Sequence, residues 1–318
     1  MIVLIVYPDY YKDFRCIGSS CKHNCCIGWE IDIDEEKLSY YQKTAGPLGK
    51  RLQENICLEP TPHFVLTPED RCPFLNENNL CDLIIALGDE ALCDICREHP
   101  RFYNQHNGHI ECGLGLCCEQ AGRLILGKKE KTILLTDGGA YTDDADSVLK
   151  ERRSIIDILQ ERDLTISQRI QKALDKLGLV CLPLDSRSYA EELYLLERLD
   201  PVWSRLLEEY IASEETDQAV KLAFEKEIDA QSVSFEQFAV YLVYRHYATA
   251  FDEDDACARA LFALQSTAFF FDLALFRWHL YQKVTMEDLV ELARLFSSEI
   301  EYSEENTEAL FDLFYSYL

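Results

Sequence analysis

Cys16, Cys21, Cys25 and Cys26 stand within eleven residues of one another, between Phe14 and Trp29. Four thiols so close in sequence can converge on one ion or cluster at little loop-closure cost. They pair as disulfides only in an oxidising compartment. Further thiols follow at Cys72, Cys81, Cys93, Cys96, Cys112, Cys117 and Cys118, and Cys72 opens the run Cys72-Pro73-Phe74-Leu75. Twelve of the fourteen cysteines thus fall in the first 118 residues. Soft thiolates select iron–sulfur clusters, zinc or copper(I) over hard cations. Four of them around one centre satisfy either a [4Fe–4S] cluster or a structural zinc ion. Cys57, Cys181 and Cys257 are isolated and outside any motif, so they read as buried thiols of no special role.

The elements that must position these sulfurs are short. In residues 1–127, residues 30–34 alternate and read as a strand, and residues 34–44 as a helix with Asp34 as N-cap. Gly46-Pro47 begins a break. Asn76 to Asn79 forms a tight turn between two short strands, residues 82–97 read as helical around Gly88, and residues 118–126 as a short helix ending at Gly127. From residue 128 the cysteines thin out and helical periodicity takes over, with starts marked by Ser167, Ser234, Thr285 and Asn306 and by the acidic stretch Asp143 to Asp146. The expected fold is mainly α with minor β. A cysteine-rich metal-binding domain over residues 1–127 precedes an acidic all-helical domain over residues 128–318, with a soft boundary near 128–143.

The charge is lopsided. The chain of 318 residues carries a formal net charge of −26. Residues 1–128 hold 12 basic and 19 acidic side chains, a net −7, which leaves −19 for the remaining 190. No basic stripe is present to neutralise phosphates, which argues against nucleic acid as a partner. The six-residue apolar run at the N-terminus meets Tyr7-Pro8 at once and does not read as a signal peptide. The apolar stretch 266–275 is interrupted by Asp272 and is too short to span a bilayer. These features fit a cytoplasmic protein with reduced thiols and no membrane role. A 48% hydrophobic content is that of a globular chain.

Other side chains with chemical potential have plainer readings. Trp29 shields the metal site from solvent. Arg101 either pairs with a carboxylate or donates to cluster sulfur. Glu111 is a weak candidate for a base. His246 reads as a core or surface histidine, and Asp252 to Asp255 as a solvated helix start, since the stretch lacks the glycine and terminal glutamate of a calcium loop. Cys21-x3-Cys25 opens like the radical S-adenosylmethionine triad, but Gly28 occupies the third position, so that triad is absent. Asp137-Gly138-Gly139 is too short for a Rossmann cofactor turn.

The order and spacing of several segments resemble the flagellin lysine-N-methylase family of bacteria, itself related to cysteine-rich zinc- or iron-chelating domains. The segments are Phe14, Cys16, Gly18, Ser19, Cys21, Cys25, Cys26, Gly28 and Trp29; then Cys72-Pro73-Phe74-Leu75 with Cys81; then Leu87, Gly88, Leu92, Cys96, Pro100 and Arg101. The last run is Glu111, Leu114, Leu116, Cys118, Ala121, Arg123 and Leu124, with a weaker echo at residues 158–162 and 168–170. The likeness covers roughly residues 7–180 well and the remainder loosely. It implies that Cys16, Cys21, Cys25, Cys26, Cys72, Cys81, Cys96 and Cys118 occupy the family's cysteine positions and are the metal ligands; the three-residue gap that lets Cys21 and Cys25 face one centre puts these two foremost. It also implies methylation of flagellin lysines with S-adenosylmethionine, with an iron–sulfur cluster implicated. Cys93, Cys112 and Cys117 are extra thiols against that pattern, and His99 stands where an aromatic is usual.

Two functions from different classes follow. The first is a protein lysine N-methyltransferase that uses S-adenosylmethionine and a [4Fe–4S] cluster. The second is a non-enzymatic iron–sulfur or zinc module whose acidic helical domain binds a protein partner.

Overall fold

The computed structural model describes residues 4–141, 146–214, 216–228 and 232–318. Asp143, Asp144 and Ala145 of the acidic stretch, and the first three residues of the N-terminal run, lie outside the described residues. The fold is mainly α with minor β, 58% helical and 10% strand. The chain forms two compact units, Arg15–Phe102, and Met1–Phe14 with Tyr103–Leu318. The division therefore does not fall near 128–143. Residues 103–127 carry strand and helix that belong to the larger unit, together with Cys112, Cys117 and Cys118.

In the smaller unit, Asp34 organises two helices. Its Oδ1 accepts the backbone N–H of Lys37, capping the helix Glu35–Lys43, and its Oδ2 accepts the N–H of Asp94, the first residue of the helix Asp94–Glu98. A carboxylate at a helix start satisfies an orphan donor and complements the helix dipole. Gly46-Pro47 is a helix start rather than a break, because proline at the first turn gives up no hydrogen bond there. In the resulting helix Gly46–Glu54, a Cβ on Gly49 would lie 1.9 Å from the Thr44 carbonyl oxygen, so only glycine fits. The helix expected over 82–97 is cut at Gly88, whose φ of +85° glycine adopts without strain, into Asp82–Leu87 and Asp94–Glu98. Strands Ile31–Asp32, His63–Phe64 and Ile56–Cys57 form an antiparallel sheet in that spatial order. The core is Ile31, Ile33, Tyr41, Leu52, Phe64 and Phe74, joined by two thiols, Cys72 and Cys93.

In the larger unit, Leu4–Pro8 is a strand at the middle of a five-stranded sheet. It pairs parallel to His109–Leu114 and antiparallel to Leu134–Thr136. Asp137 and Gly138 turn the chain between Leu134–Thr136 and Gly139–Ala140, which disposes of them as a cofactor loop. Around the sheet lie ten α-helices among the described residues, from Glu119–Leu126 to Glu304–Tyr315. Ser232–His246 and Glu253–Tyr281 are the inner pair, locked by Phe238 stacked on Phe270 at 4.2 Å. Glu253–Tyr281 extends well beyond the apolar stretch 266–275. It is the one described helix long and apolar enough to cross a membrane, but 83% of its apolar window is buried inside the protein.

Helix starts fall slightly off the expected positions. Thr165, not Ser167, caps Ile166–Lys176 through a capping box, and Ser303, not Asn306, caps Glu304–Tyr315. Ser234 sits inside its helix and donates to the Leu126 carbonyl. Thr285 caps Met286–Phe296 as expected.

Candidate metal centre

The smaller unit gathers thiols from three segments. Cys72 and Cys93 are part of its core, and Cys26, Cys81 and Cys96 pack against that core while half-buried. Backbone pairing brings the first two segments together, since the N–H of Cys72 donates to the Cys26 carbonyl at 2.8 Å. Leu75 and Cys81 form an antiparallel bridge, closed by Asn76 Oδ1 accepting the N–H groups of Asn78 and Leu80. This is the tight turn legible at Asn76 to Asn79. Cys93 precedes the helix Asp94–Glu98 and Cys96 lies within it, so Asp34 fixes both through its bond to Asp94.

The thiols feel one another. Cys25 and Cys26 hydrogen-bond, which pulls Cys25 below the ordinary thiol range and, with burial and the charges of Cys72 and Cys81, pushes Cys26 far above it. The pair Cys93 and Cys96 behaves alike. The Cys96 bond lowers Cys93, and the Cys93 bond, burial and the charges of Cys26 and Cys72 raise Cys96. Burial pushes Cys72 up to about 11 and raises Cys81. Burial and thiol–thiol hydrogen bonds cause most of these shifts, and the charges of neighbouring thiols add to them, a repulsion that a bound cation would offset. Among the described residues, however, no three His, Cys, Asp or Glu side chains converge tightly enough to hold a metal ion. The donor chemistry fits a soft metal. The side chains stand as neighbours in one core, not as a closed ligand shell.

Cys93, an extra thiol by the family pattern, belongs to this group. Its signal in the sequence was the two-residue gap to Cys96. Three of the eight expected ligands stand outside it. Cys16 is exposed and accepts the Gly18 N–H, and Cys21 donates to the His23 carbonyl at 3.1 Å. Cys118 lies in the larger unit at the start of Glu119–Leu126. Trp29 donates its indole N–H to the Cys25 carbonyl and lies 6.1 Å from the ring of His99, whose pKa burial lowers to about 4. An aromatic neighbour thus faces His99 where the family pattern places an aromatic. Of the isolated thiols, Cys181 is exposed and Cys57 and Cys257 are half-buried, so none is the fully buried thiol expected.

The larger unit settles the candidate base. Glu111 and Arg152 are both fully buried and share two hydrogen bonds of 2.6 Å. Despite burial, Arg152 and His109 hold the Glu111 carboxyl at about 2, so it is a structural anion and not a base at neutral pH. His246 is a core histidine. Its Nε2 lies 2.8 Å from Glu301, which also accepts from Tyr241, and Arg245 donates to Tyr241 in turn. Asp252 caps the helix Glu253–Tyr281, and Asp255 is buried and paired with Arg259, so the acidic run is only partly solvated.

The chain thus combines a cysteine-rich unit with a helical region that contains buried carboxylate–arginine pairs. Residues 186–317 match the family described as FliB lysine N-methylase C-terminal domain. The chain is 28% identical over 131 residues to the "Flagellar biosynthetic protein FliU" of Salmonella muenchen, covering 39% of this chain and 78% of that protein. It is 28% identical over 145 residues to the "Lysine-N-methylase" of Salmonella choleraesuis (strain SC-B67) and to that of Salmonella typhimurium (strain LT2), covering 42% of this chain and 36% of each of them. The matched region is thus about a third of those two lysine-N-methylases. No solved structure matches. These matches make the C-terminal helices of the chain similar to lysine N-methylases over residues 186–317. The family match falls on the helices, where the residue-by-residue likeness is loosest.

Proposed function

We propose that the chain is a protein lysine N-methyltransferase that takes its methyl group from S-adenosylmethionine and acts in the cytoplasm on flagellin or another lysine-bearing protein. The observation that carries this reading is the match of residues 186–317 to the C-terminal domain of lysine N-methylases. Methyl transfer needs a neutral amine held in line with the donor. None of the buried carboxylates Glu111, Glu236 and Glu301 is free to act as the base, since each is committed to arginine. Loss of the lysine proton to water, followed by desolvation of the neutral amine, is the simpler route.

In this reading a [4Fe–4S] cluster, with zinc as the alternative, is held by ligands drawn from Cys25, Cys26, Cys72, Cys81, Cys93 and Cys96. When bound, such a group cross-links the loops of a unit whose strands are two residues long, and an iron–sulfur cluster also brings electron-transfer capacity. Asp34 positions the Cys93 and Cys96 segment, and Trp29 excludes water beside Cys25. Cys16, Cys21 and Cys118, at family cysteine positions, stand outside this ligand set.

Anaerobic purification with metal and sulfide analysis, and incubation with S-adenosylmethionine and flagellin, test the two halves of the reading. A second reading is a non-catalytic metal module that docks a protein through its acidic helices. It is favoured by the commitment of every buried carboxylate named above to a structural partner.

A further inference from the structure

A cleft of about 300 Å³ opens on the larger unit, between the segment that follows the strand Leu4–Pro8 and the C-terminal end of the helix Glu119–Leu126. It is lined by groups of both signs, the carboxylates Asp9, Asp13 and Glu130 and the cations Arg123 and Lys128, with Tyr10 beside them. Such a mixture usually neutralises itself. Here it does so only in part. Lys128 Nζ reaches Asp9 Oδ2 at 2.9 Å, while Asp9 Oδ1 is buried and has no hydrogen-bond partner. Arg123 commits Nε and Nη2 to Glu119 and Glu287, which leaves Nη1 without a hydrogen bond among the described residues. The side chains of Asp13 and Glu130 likewise make no hydrogen bond among the described residues.

We infer that this cleft seats the head of a cationic α-amino acid. An α-carboxylate oxygen can accept a charge-assisted hydrogen bond from Nη1, the uncommitted nitrogen of Arg123. An α-ammonium matches the carboxylates, as the Lys128 ammonium on Asp9 already illustrates. The lining carries three carboxylates and two cations, and Arg123 is already paired with Glu119 and Glu287, so the cleft favours a ligand with net positive charge. A sulfonium amino acid has that charge, and so does lysine. The volume is that of a small-molecule site. The assignment of the sulfonium methyl donor to this cleft rests on the function proposed above.

The test is calorimetric titration of the full chain with three probes: S-adenosylmethionine, S-adenosylhomocysteine (the same head without the sulfonium charge) and L-lysine. Asp13→Asn with Glu130→Gln changes the cleft, and Glu225→Gln with Glu227→Gln makes the same change of charge on the exposed face of another helix. The inference expects wild-type protein to bind S-adenosylmethionine more tightly than S-adenosylhomocysteine. It expects the cleft variant to weaken the former by about tenfold or more, and the control variant to leave it nearly unchanged. Tightest binding of L-lysine, lost in the cleft variant, would keep the cleft and identify the acceptor as its source. Equal binding by wild type and the cleft variant, equal weakening in the control variant, or no binding of any probe would overturn it. Methyl transfer measured alongside separates the two claims. Transfer that survives in the cleft variant with unchanged donor affinity removes the cleft and leaves the proposed function. Donor binding in the cleft with no transfer to any protein does the reverse.

Discussion

Arg152 lays both terminal nitrogens on the carboxylate of Glu111 at 2.6 Å, and neither side chain reaches solvent. The pair joins the strand His109–Leu114 to the helix Ser147–Leu159. Removing one partner strands the other charge in the interior. Arg152→Met or Glu111→Gln should therefore cost about 3–5 kcal/mol, and the double replacement should cost less than the two single ones together. Urea titration of the three variants measures this. A single variant as stable as wild type would show that the pair contributes little.

The same pair sets an acid limit. The folded Glu111 carboxyl is held at about 2, below the ordinary 4.5, and Glu301 is likewise held at about 2 by Arg245 and His246 despite its burial. A depressed folded pKa stabilises the fold above the unfolded pKa, and that stability drains as pH falls toward the folded value. Stability should thus fall between about pH 4.5 and 2, and the fall should be shallower in the Glu111→Gln variant. Melting temperature against pH reads this out. An unchanged slope in the variant would assign the acid sensitivity to other groups.

The thiol group makes a sharper forecast than spacing did. Cys72→Ser and Cys96→Ser should each lose most bound metal, because both sulfurs sit among the others in the core of their unit. Cys181→Ser, at an exposed isolated thiol, should keep it. Cys93→Ser should lose metal too if the extra thiol is a ligand. Metal and sulfide content per chain decides, and full retention in Cys72→Ser and Cys96→Ser would exclude the assignment.

Asp255 differs from its acidic neighbours. It is buried, bonds the Phe251 N–H and pairs with Arg259, whereas Glu253 and Asp254 are exposed. Asp255→Asn should destabilise by about 1–3 kcal/mol, while neutralising Glu253 and Asp254 should change stability little. If the exposed acids steer a lysine-rich acceptor, the second pair of changes and added salt should both weaken its binding. Glu214 and Asp217 offer the same test on another surface, with Asp217 kept as Asn to preserve its cap.

Much of the architecture was legible. The helical C-terminal half follows from long runs of 3.6-residue periodicity, and the caps at Asp34 and Thr285 from single residues with strong preferences. The strands Arg101–His106 and His109–Leu114 are not legible in the sequence, because polar residues alternate irregularly there. Nothing local marks Leu4–Pro8 as the middle strand of a sheet, since pairing across some hundred residues leaves no local trace. For the thiols, spacing puts Cys21 and Cys25 foremost, whereas the packing of Cys26, Cys81 and Cys96 against Cys72 and Cys93 depends on tertiary contacts that leave no local trace. The roles of Glu111 and Asp255 were hidden for the same reason, since their arginine partners are distant or on a face the sequence does not mark.

Transfer of a methyl group is the central claim, and intact-protein mass spectrometry of the acceptor tests it most directly. Anaerobically purified chain is incubated with flagellin and S-adenosylmethionine, and the acceptor is then digested to locate the modified residues. The account predicts mass gains in whole methyl steps on lysine side chains, dependent on the donor and lost when Cys72 and Cys96 are replaced together. Unmodified flagellin after prolonged incubation with metal-loaded, donor-binding protein would contradict it and leave the non-catalytic metal module as the reading.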